Sequence, residues 1–217
     1  MKKNGHTFFT IVDTCKIEAG IWNPYHYKKN DLGYTLSDFV DIQKIINHKC
    51  DISSCHFAPI EYKNIPKGEL LTFVLEDNYL AKGRYSVVGE QSLIFGTMRA
   101  YLGNVLVTPK ATWIEKDSPL FYPINSEFVQ IIPKDNLPYF WWCYLKSALF
   151  LHQMPAGSGG TRPRVSVENL EQIPVSVPTL QERTKINSSL IVLAEQSWQN
   201  LLACRQIMKQ ANLSNNQ

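Results

Sequence analysis

The feature that most constrains this chain is its C-terminal segment. From Thr179 the sequence runs TLQERTKINSSLIVLAEQSWQNLLACRQIMKQANLSNNQ, and between Ile186 and Gln206 its only charged residues are Glu195 and Arg205. Thr179 with Glu182 three positions on forms a capping box, so a helix should open at Thr179 and run to about Gln210. Ile186, Leu190, Leu193 (with Ala194 beside it), Trp198 and Leu201 step by three and four along it, with Cys204 and Met208 beyond, and Ile191, Val192 and Leu202 widen the stripe. A helix this apolar cannot be solvated all round. It must lie on its own domain, on another chain, or on both.

The preceding segment has a different pattern. Short apolar runs (Leu70–Leu75, Val87–Val88, Ser92–Phe95, Asn104–Thr108, Phe128–Ile132) are separated by Gly, Pro, Asn and Asp at intervals of roughly ten residues, which is the spacing of a sheet or barrel. Upstream, TLSDFVDIQKII fits helix or strand equally well. The run YFWWCYLKSALFLHQ, from Tyr139 to Gln153, follows Pro138 and precedes Pro155 and Gly157, which predicts one buried helix with Trp141 and Trp142 in the core. Ile173, Val175 and Val177 alternate between Pro174 and Pro178 and predict an edge strand. The expected architecture is α/β in the α+β sense: a mixed, strand-rich domain of residues 1–178 followed by a long C-terminal helix, 179–217.

Composition excludes several classes. With 217 residues, 44% hydrophobic and 19% charged, the chain is neither disordered nor a coiled coil throughout. No apolar run reaches membrane-spanning length, and MKKNGHTFF is followed by Asp13 with no signal-peptide core, so a soluble, cytoplasmic protein without a membrane partner is expected. Five cysteines in a chain this long predict free thiols. A net charge of +3 permits a polyanion partner without demanding one.

The charge distribution is more informative. In Gly157-Ser158-Gly159-Gly160-Thr161-Arg162-Pro163-Arg164 the glycines let a backbone approach a ligand, and two arginines supply forked donors suited to phosphate or guanine. It is not a nucleotide P-loop, because the terminal Gly-Lys-Ser/Thr is missing. Two further clusters, Lys82-Gly83-Arg84-Tyr85 and Phe95-Gly96-Thr97-Met98-Arg99-Ala100-Tyr101, again interleave arginine with tyrosine and glycine, as a nucleic-acid surface does. The candidate DNA contacts are therefore Lys82, Arg84, Tyr85, Arg99, Tyr101, Ser158, Thr161, Arg162 and Arg164, with Arg84 and Arg99 as base readers.

Enzymatic and metal readings find less support. His48, Cys50, Cys55 and His56 fall within HKCDISSCH, but all four zinc ligands would then come from one short loop instead of two separated knuckles. Asn23-Pro24-Tyr25 lacks the second proline of the amino-methyltransferase tetrad and has no Gly-rich cofactor loop beside it. Asp51, Glu61 and Lys63 resemble the acids and lysine of a metal-dependent nuclease. Their loose spacing arises easily by chance, and Pro59 and Pro66 interrupt any clean strand. No catalytic residues, metal or cofactor are expected.

From Gly157 to Ile186 the order of features is distinctive: a Gly-Ser loop, a basic turn, Asn-Leu-Glu-Gln-Ile-Pro-Val-Ser-Val-Pro, then Leu180-Gln181-Glu182-Arg183 opening a long helix. This resembles the end of a target recognition domain in the DNA specificity (S) subunits of type I restriction-modification systems. Leu170, Ile173, Val175, Val177, Pro178, Leu180 and Glu182 match the family pattern. Arg183 stands where glutamine is usual, and Ser176 where the first of two prolines is common. TLSDFVDIQ and LIFGTMRAYLGNVLVT also look like family segments, so the resemblance covers about residues 22–210.

The resemblance implies a non-catalytic half-subunit that reads one half of a bipartite double-stranded DNA site. Methyltransferase subunits would supply the S-adenosylmethionine chemistry, together with a restriction subunit. Ile186, Leu190, Leu193, Trp198 and Leu201 would pair two helices in a homodimer. The alternatives are a stand-alone nuclease using Asp51, Glu61 and Lys63, or a separately expressed recognition domain of a fused methyltransferase-nuclease.

Overall fold

The computed structural model describes residues 33–45, 57–76, 85–114, 121–155, 157–158 and 160–214. Its strands are β1 (Val40–Lys44), β2 (Ser86–Val88), β3 (Leu93–Gly96), β4 (Val105–Val107), β5 (Tyr122–Ile124) and β6 (Phe128–Pro133). Its helices are α1 (Leu36–Phe39), α2 (Pro138–Lys146), α3 (Ala148–Leu151), α4 (Val167–Glu171) and α5 (Leu180–Ser214). The fold is thus a mixed, strand-containing domain with a long C-terminal helix.

The ambiguous segment TLSDFVDIQKII is both of the things it could be. One helical turn, boxed at its start by the Asp38 side chain accepting from the Thr35 N–H at 2.7 Å, gives way at Val40 to β1. Strand β1 then pairs antiparallel with β6, Val40 opposite Pro133 and Lys44 opposite Val129. The four-stranded antiparallel sheet has the order β1-β6-β3-β4, and β2 and β5 form a separate antiparallel pair. Every residue of β3 and β4 is buried, which explains their unbroken apolar sequence. The Leu70–Leu75 run forms no strand, although Phe73 and Leu75 are buried.

The aromatic run is two helices instead of one. The Ser147 hydroxyl donates to the Tyr144 carbonyl at 2.6 Å, and Ser147 leaves helical geometry with ψ 147°. Its oxygen then accepts the Phe150 N–H at 3.3 Å, capping α3. Trp141 and Trp142 are core residues, as expected.

Helix α2 has an unusual start. Pro138 occupies the first turn and Leu137 offers no side-chain cap. The missing acceptor comes from α5, where Asn187 Oδ1 takes the N–H groups of Tyr139 at 2.9 Å and Phe140 at 3.1 Å. One turn earlier on α5, Arg183 Nε donates to Asp135 Oδ2 at 2.9 Å and Nη1 to the Pro178 carbonyl at 2.9 Å. The other carboxylate oxygen of Asp135 accepts from the Trp141 indole at 3.0 Å. These contacts fasten the long helix to the domain.

Ile173 and Val175 are buried, but their segment is not a strand. Two backbone bonds join it to the segment that opens α1, Leu36 N–H to Ile173 O and Val175 N–H to Tyr34 O, and the ladder goes no further because the Ile173 N–H turns back to the Leu170 carbonyl at 3.2 Å. Immediately before it lies the short helix α4, capped by Ser166, which the sequence reading did not anticipate.

Helix α5 opens on the expected box: Glu182 Oε2 accepts from the Thr179 hydroxyl at 2.7 Å and from its N–H at 3.0 Å, and the Glu182 N–H returns to Thr179 Oγ1 at 3.4 Å. Its buried stripe is rotated from the one the apolar residues suggest. Arg183, Asn187, Ala194 and Trp198 are buried, with Leu190, Ile191, Leu201 and Leu202 packed at their flanks. Trp198 meets Phe73 edge-on at 5.2 Å. Leu180, Ile186, Val192, Leu193, Ile207 and Met208 face outward. Among the described residues no helix is long and apolar enough to cross a membrane. Cys143 and Cys204 are free thiols.

Candidate nucleic-acid interface

Two of the three basic clusters converge in space. The segment leaving β3 (Gly96–Tyr101), the turn Asn125–Glu127 before β6 and the loop from Gly157 to Val165 meet at one rim of the four-stranded sheet. Arg164 is the junction. Its backbone exchanges two bonds with Ser158, at 2.8 and 2.9 Å, closing the base of the Gly-rich loop, and its neighbour Val165 donates to the Thr97 carbonyl at 3.1 Å. Gly157 is required there, since a Cβ on it would lie 2.8 Å from the Arg164 nitrogen.

The guanidinium of Arg164 is paired with Glu127 through both arms, Nε to Oε2 at 2.7 Å and Nη2 to Oε1 at 2.6 Å. This bidentate bond holds the Glu127 carboxyl below the ordinary carboxylate value, with the nearby Arg162 charge adding to the effect. The Glu127 carbonyl is equally occupied, accepting the Thr97 N–H at 3.1 Å, the Thr97 hydroxyl at 2.9 Å and the Tyr62 hydroxyl at 3.2 Å. Tyr62 also accepts the Met98 N–H at 3.0 Å and stacks on Phe128 at 4.7 Å. Burial pushes its hydroxyl up to about 12, so it stays a donor at every working pH. Tyr62 lies so close beneath β3 that a Cβ on Gly96 would sit 2.6 Å from its ring.

Arg99 follows at the lip. It takes the left-handed conformation, φ 49°, an uncommon one for a side-chain-bearing residue. Its N–H donates to the Pro163 carbonyl at 2.8 Å and its Nη2 to the Thr161 carbonyl at 3.1 Å. The short turn Ala100–Leu102 then buries Ala100 and turns Tyr101 and Leu102 out to solvent. Ser158, Thr161 and Arg162 are exposed on the same rim.

The nine residues picked from the sequence therefore divide. Arg99, Tyr101, Ser158, Thr161, Arg162 and Arg164 share the rim. Tyr85 leads into β2, in the other sheet, and Lys82 and Arg84 lie outside the described residues. Arg164 is committed to Glu127, so the guanidinium groups presented at the rim are those of Arg99 and Arg162. Sequence reasoning missed Glu127, Tyr62 and Thr97, because nothing local to Asn-Ser-Glu-Phe signals a partner 37 residues away.

The helix residues divide as well. Ile186 and Leu193 are exposed, Leu190 and Leu201 are half-buried, and Trp198 lies within its own domain against Phe73, with 1% of its surface left for a partner. Glu61 and Lys63 sit 3.7 Å apart in an exposed cluster with Glu76. Asp51, the HKCDISSCH segment and Asn23-Pro24-Tyr25 lie outside the described residues. Among the described residues no group of three or more His, Cys, Asp or Glu could hold a metal ion.

A family model described as the type I restriction modification DNA specificity domain matches residues 7–197. Among solved structures, the chain is similar to the HsdS subunit from Thermoanaerobacter tengcongensis, at 17% identity and a TM-score of 0.42 over 80% of this chain and 39% of that one. It is also similar to a chain from a structure concerned with complex assembly and conformational transition of the type I R-M system, at 16% identity and a TM-score of 0.39 over 93% of this chain and 50% of that one. The chain thus spans half or less of the length of these structural neighbours. No curated protein matches it.

Proposed function

Because the chain belongs to the family of type I restriction modification DNA specificity domains, we propose that it reads one half of a bipartite DNA site and directs partner subunits that carry the chemistry. The observation behind this reading is the convergence of two arginine-bearing segments, distant in sequence, on one rim whose backbone is tied down by hydrogen bonds. Arg99 and Arg162 present forked donors there, suited to phosphate oxygens or to the O6 and N7 of guanine. Exposed Tyr101 and Leu102 add an apolar edge beside them.

In this reading residues 1–178 form the recognition domain and residues 179–217 the docking and pairing helix. The chain carries no catalysis of its own. Methyltransferase subunits supply methyl transfer from S-adenosylmethionine, and a restriction subunit joins them. The outward face of α5 supports the docking role. Leu180, Ile186, Val192 and Leu193 are exposed, and an open groove of about 480 Å³ runs along Pro178, Glu182, Lys185, Ile186, Ser189 and Leu190. Two copies pairing by this face about a two-fold axis would present two recognition domains to an inverted repeat. Trp198 and Ala194, turned inward, take no part in that pairing.

Selection of bound duplexes from a random pool tests the reading. The chain should enrich a short motif, and Arg162→Ala should lower affinity for selected and scrambled duplexes alike, flattening the dependence of log K on log salt by about one phosphate's worth. Enrichment of no motif would sink it.

A further inference from the structure

Glu127 is an acid in the middle of a basic rim. Near DNA phosphates its charge opposes binding, and an exposed ion pair adds little to stability. What the carboxylate does is geometric. It holds both arms of Arg164, and Arg164 closes the loop through its backbone exchange with Ser158. Between those ends lie the Thr161 and Pro163 carbonyls, which grip Arg99 by its guanidinium and its N–H. The left-handed backbone of Arg99 costs energy and persists only where its surroundings over-determine it.

We propose that Glu127 is a positioning residue for sequence discrimination: by clamping Arg164 it fixes the loop that holds Arg99, and so sets which base edge Arg99 reaches. The inference rests on the DNA-reading function proposed above. It predicts opposite signs for two affinities. Removing the carboxylate should loosen Arg99 and degrade recognition of the cognate sequence, while removal of a negative charge from the rim should leave non-specific binding unchanged or tighter. The turn itself survives the substitution, because Thr97 and Tyr62 bind the Glu127 backbone carbonyl and not its side chain.

The test uses the full chain, a duplex enriched by the wild-type protein and a scrambled duplex of the same length. Glu127→Ala should lower the ratio of cognate to scrambled affinity by about tenfold or more, the scale of one lost base contact, with scrambled binding retained. Arg164→Lys keeps the charge but not the fork, and should lower the ratio in the same way with its thermal melting intact, so the inference stays testable if Glu127→Ala fails to fold. The double variant Glu127→Ala/Arg164→Ala should discriminate no worse than Glu127→Ala, because the two side chains act as one unit. An unchanged ratio, or an equal gain on both duplexes, would overturn the inference, an equal gain meaning that Arg164 is a phosphate contact which Glu127 merely masks. A wild-type chain that selects no duplex fails the underlying reading and the inference with it, whereas a discriminating wild type with an indifferent Glu127→Ala fails the inference alone.

Discussion

The carboxamide oxygen of Asn187 caps a helix that is not its own, accepting the N–H groups of Tyr139 and Phe140 while itself 5% exposed. Its removal strands two buried donors that water cannot reach. Asn187→Ala should therefore cost about 1–3 kcal/mol in urea unfolding, whereas Ser188→Ala, one residue on and exposed, should stay within about 0.5 kcal/mol of wild type. At the rim, Glu127 gives a pH dependence whose sign follows from its partner. Arg164 holds its carboxyl below the ordinary value of 4.5, so the folded state binds a proton less readily than the unfolded chain. The contribution of the pair is fully present above that ordinary value and is lost as pH falls through the lower, folded one. Glu168 and Glu182, also lowered by hydrogen bonds, act in the same direction. Comparison of wild type with Glu127→Gln isolates the pair: the stability difference should be flat from neutral pH down to about 5 and shrink below it. A difference that grows in acid would contradict the assignment.

Among the elements, what was legible in the sequence was what is local. The Thr179/Glu182 box, the core tryptophans and most of the short strands between turn residues depend on neighbours within a few positions and appear in the fold, the Leu70–Leu75 run excepted. What failed depends on distant partners. The apolar spacing of α5 places Ile186 and Leu193 on the buried stripe, yet the helix turns Arg183 and Asn187 inward instead, because Asp135 and the start of α2 satisfy them from 48 and 47 residues away. A polar side chain reads as solvent-facing until its partner is known. The candidate site was half legible for the same reason: glycines and arginines announced the loop from Gly157 to Arg164, but the role of Arg164 depends on Glu127. Ser147 splits the apolar run into two helices through its own hydroxyl. The rotated stripe makes a direct prediction. Trp198→Ala empties the pocket against Phe73 and should destabilise the chain by about 3–5 kcal/mol, while Leu193→Lys, on the opposite face, should leave the unfolding midpoint of the monomer nearly unchanged. The reverse order would restore the stripe read from the sequence.

For the whole molecule, the outward face of α5 carries apolar side chains that the fold does not bury, Leu193 and Ile207 among them. If Leu193 and Ile207 pair two chains, Leu193→Lys with Ile207→Lys should yield a monomer by sedimentation equilibrium at concentrations where the wild type is dimeric, with the circular dichroism spectrum unaltered. A wild type that stays monomeric at tens of micromolar assigns that face to a different protein. The attachment of the helix bears on how accurately such an assembly could be spaced. Contacts fasten it from Arg183, bonded to Asp135, to Arg205, whose Nη1 reaches the Leu75 carbonyl at 3.4 Å. At about 1.5 Å per residue those anchors lie roughly 33 Å apart, and the tip at Ser214 about 47 Å from the first. A surveyor would recognise a long baseline. A slip of about 1 Å at the second anchor swings the tip by only about 1.4 Å, less than half the ~3.4 Å rise of one base pair. Two such chains joined tip to base would add two such swings, about 2.8 Å, still short of one base-pair rise of ~3.4 Å, and would thus keep their half-site spacing to within one base pair without any contact to the DNA between them.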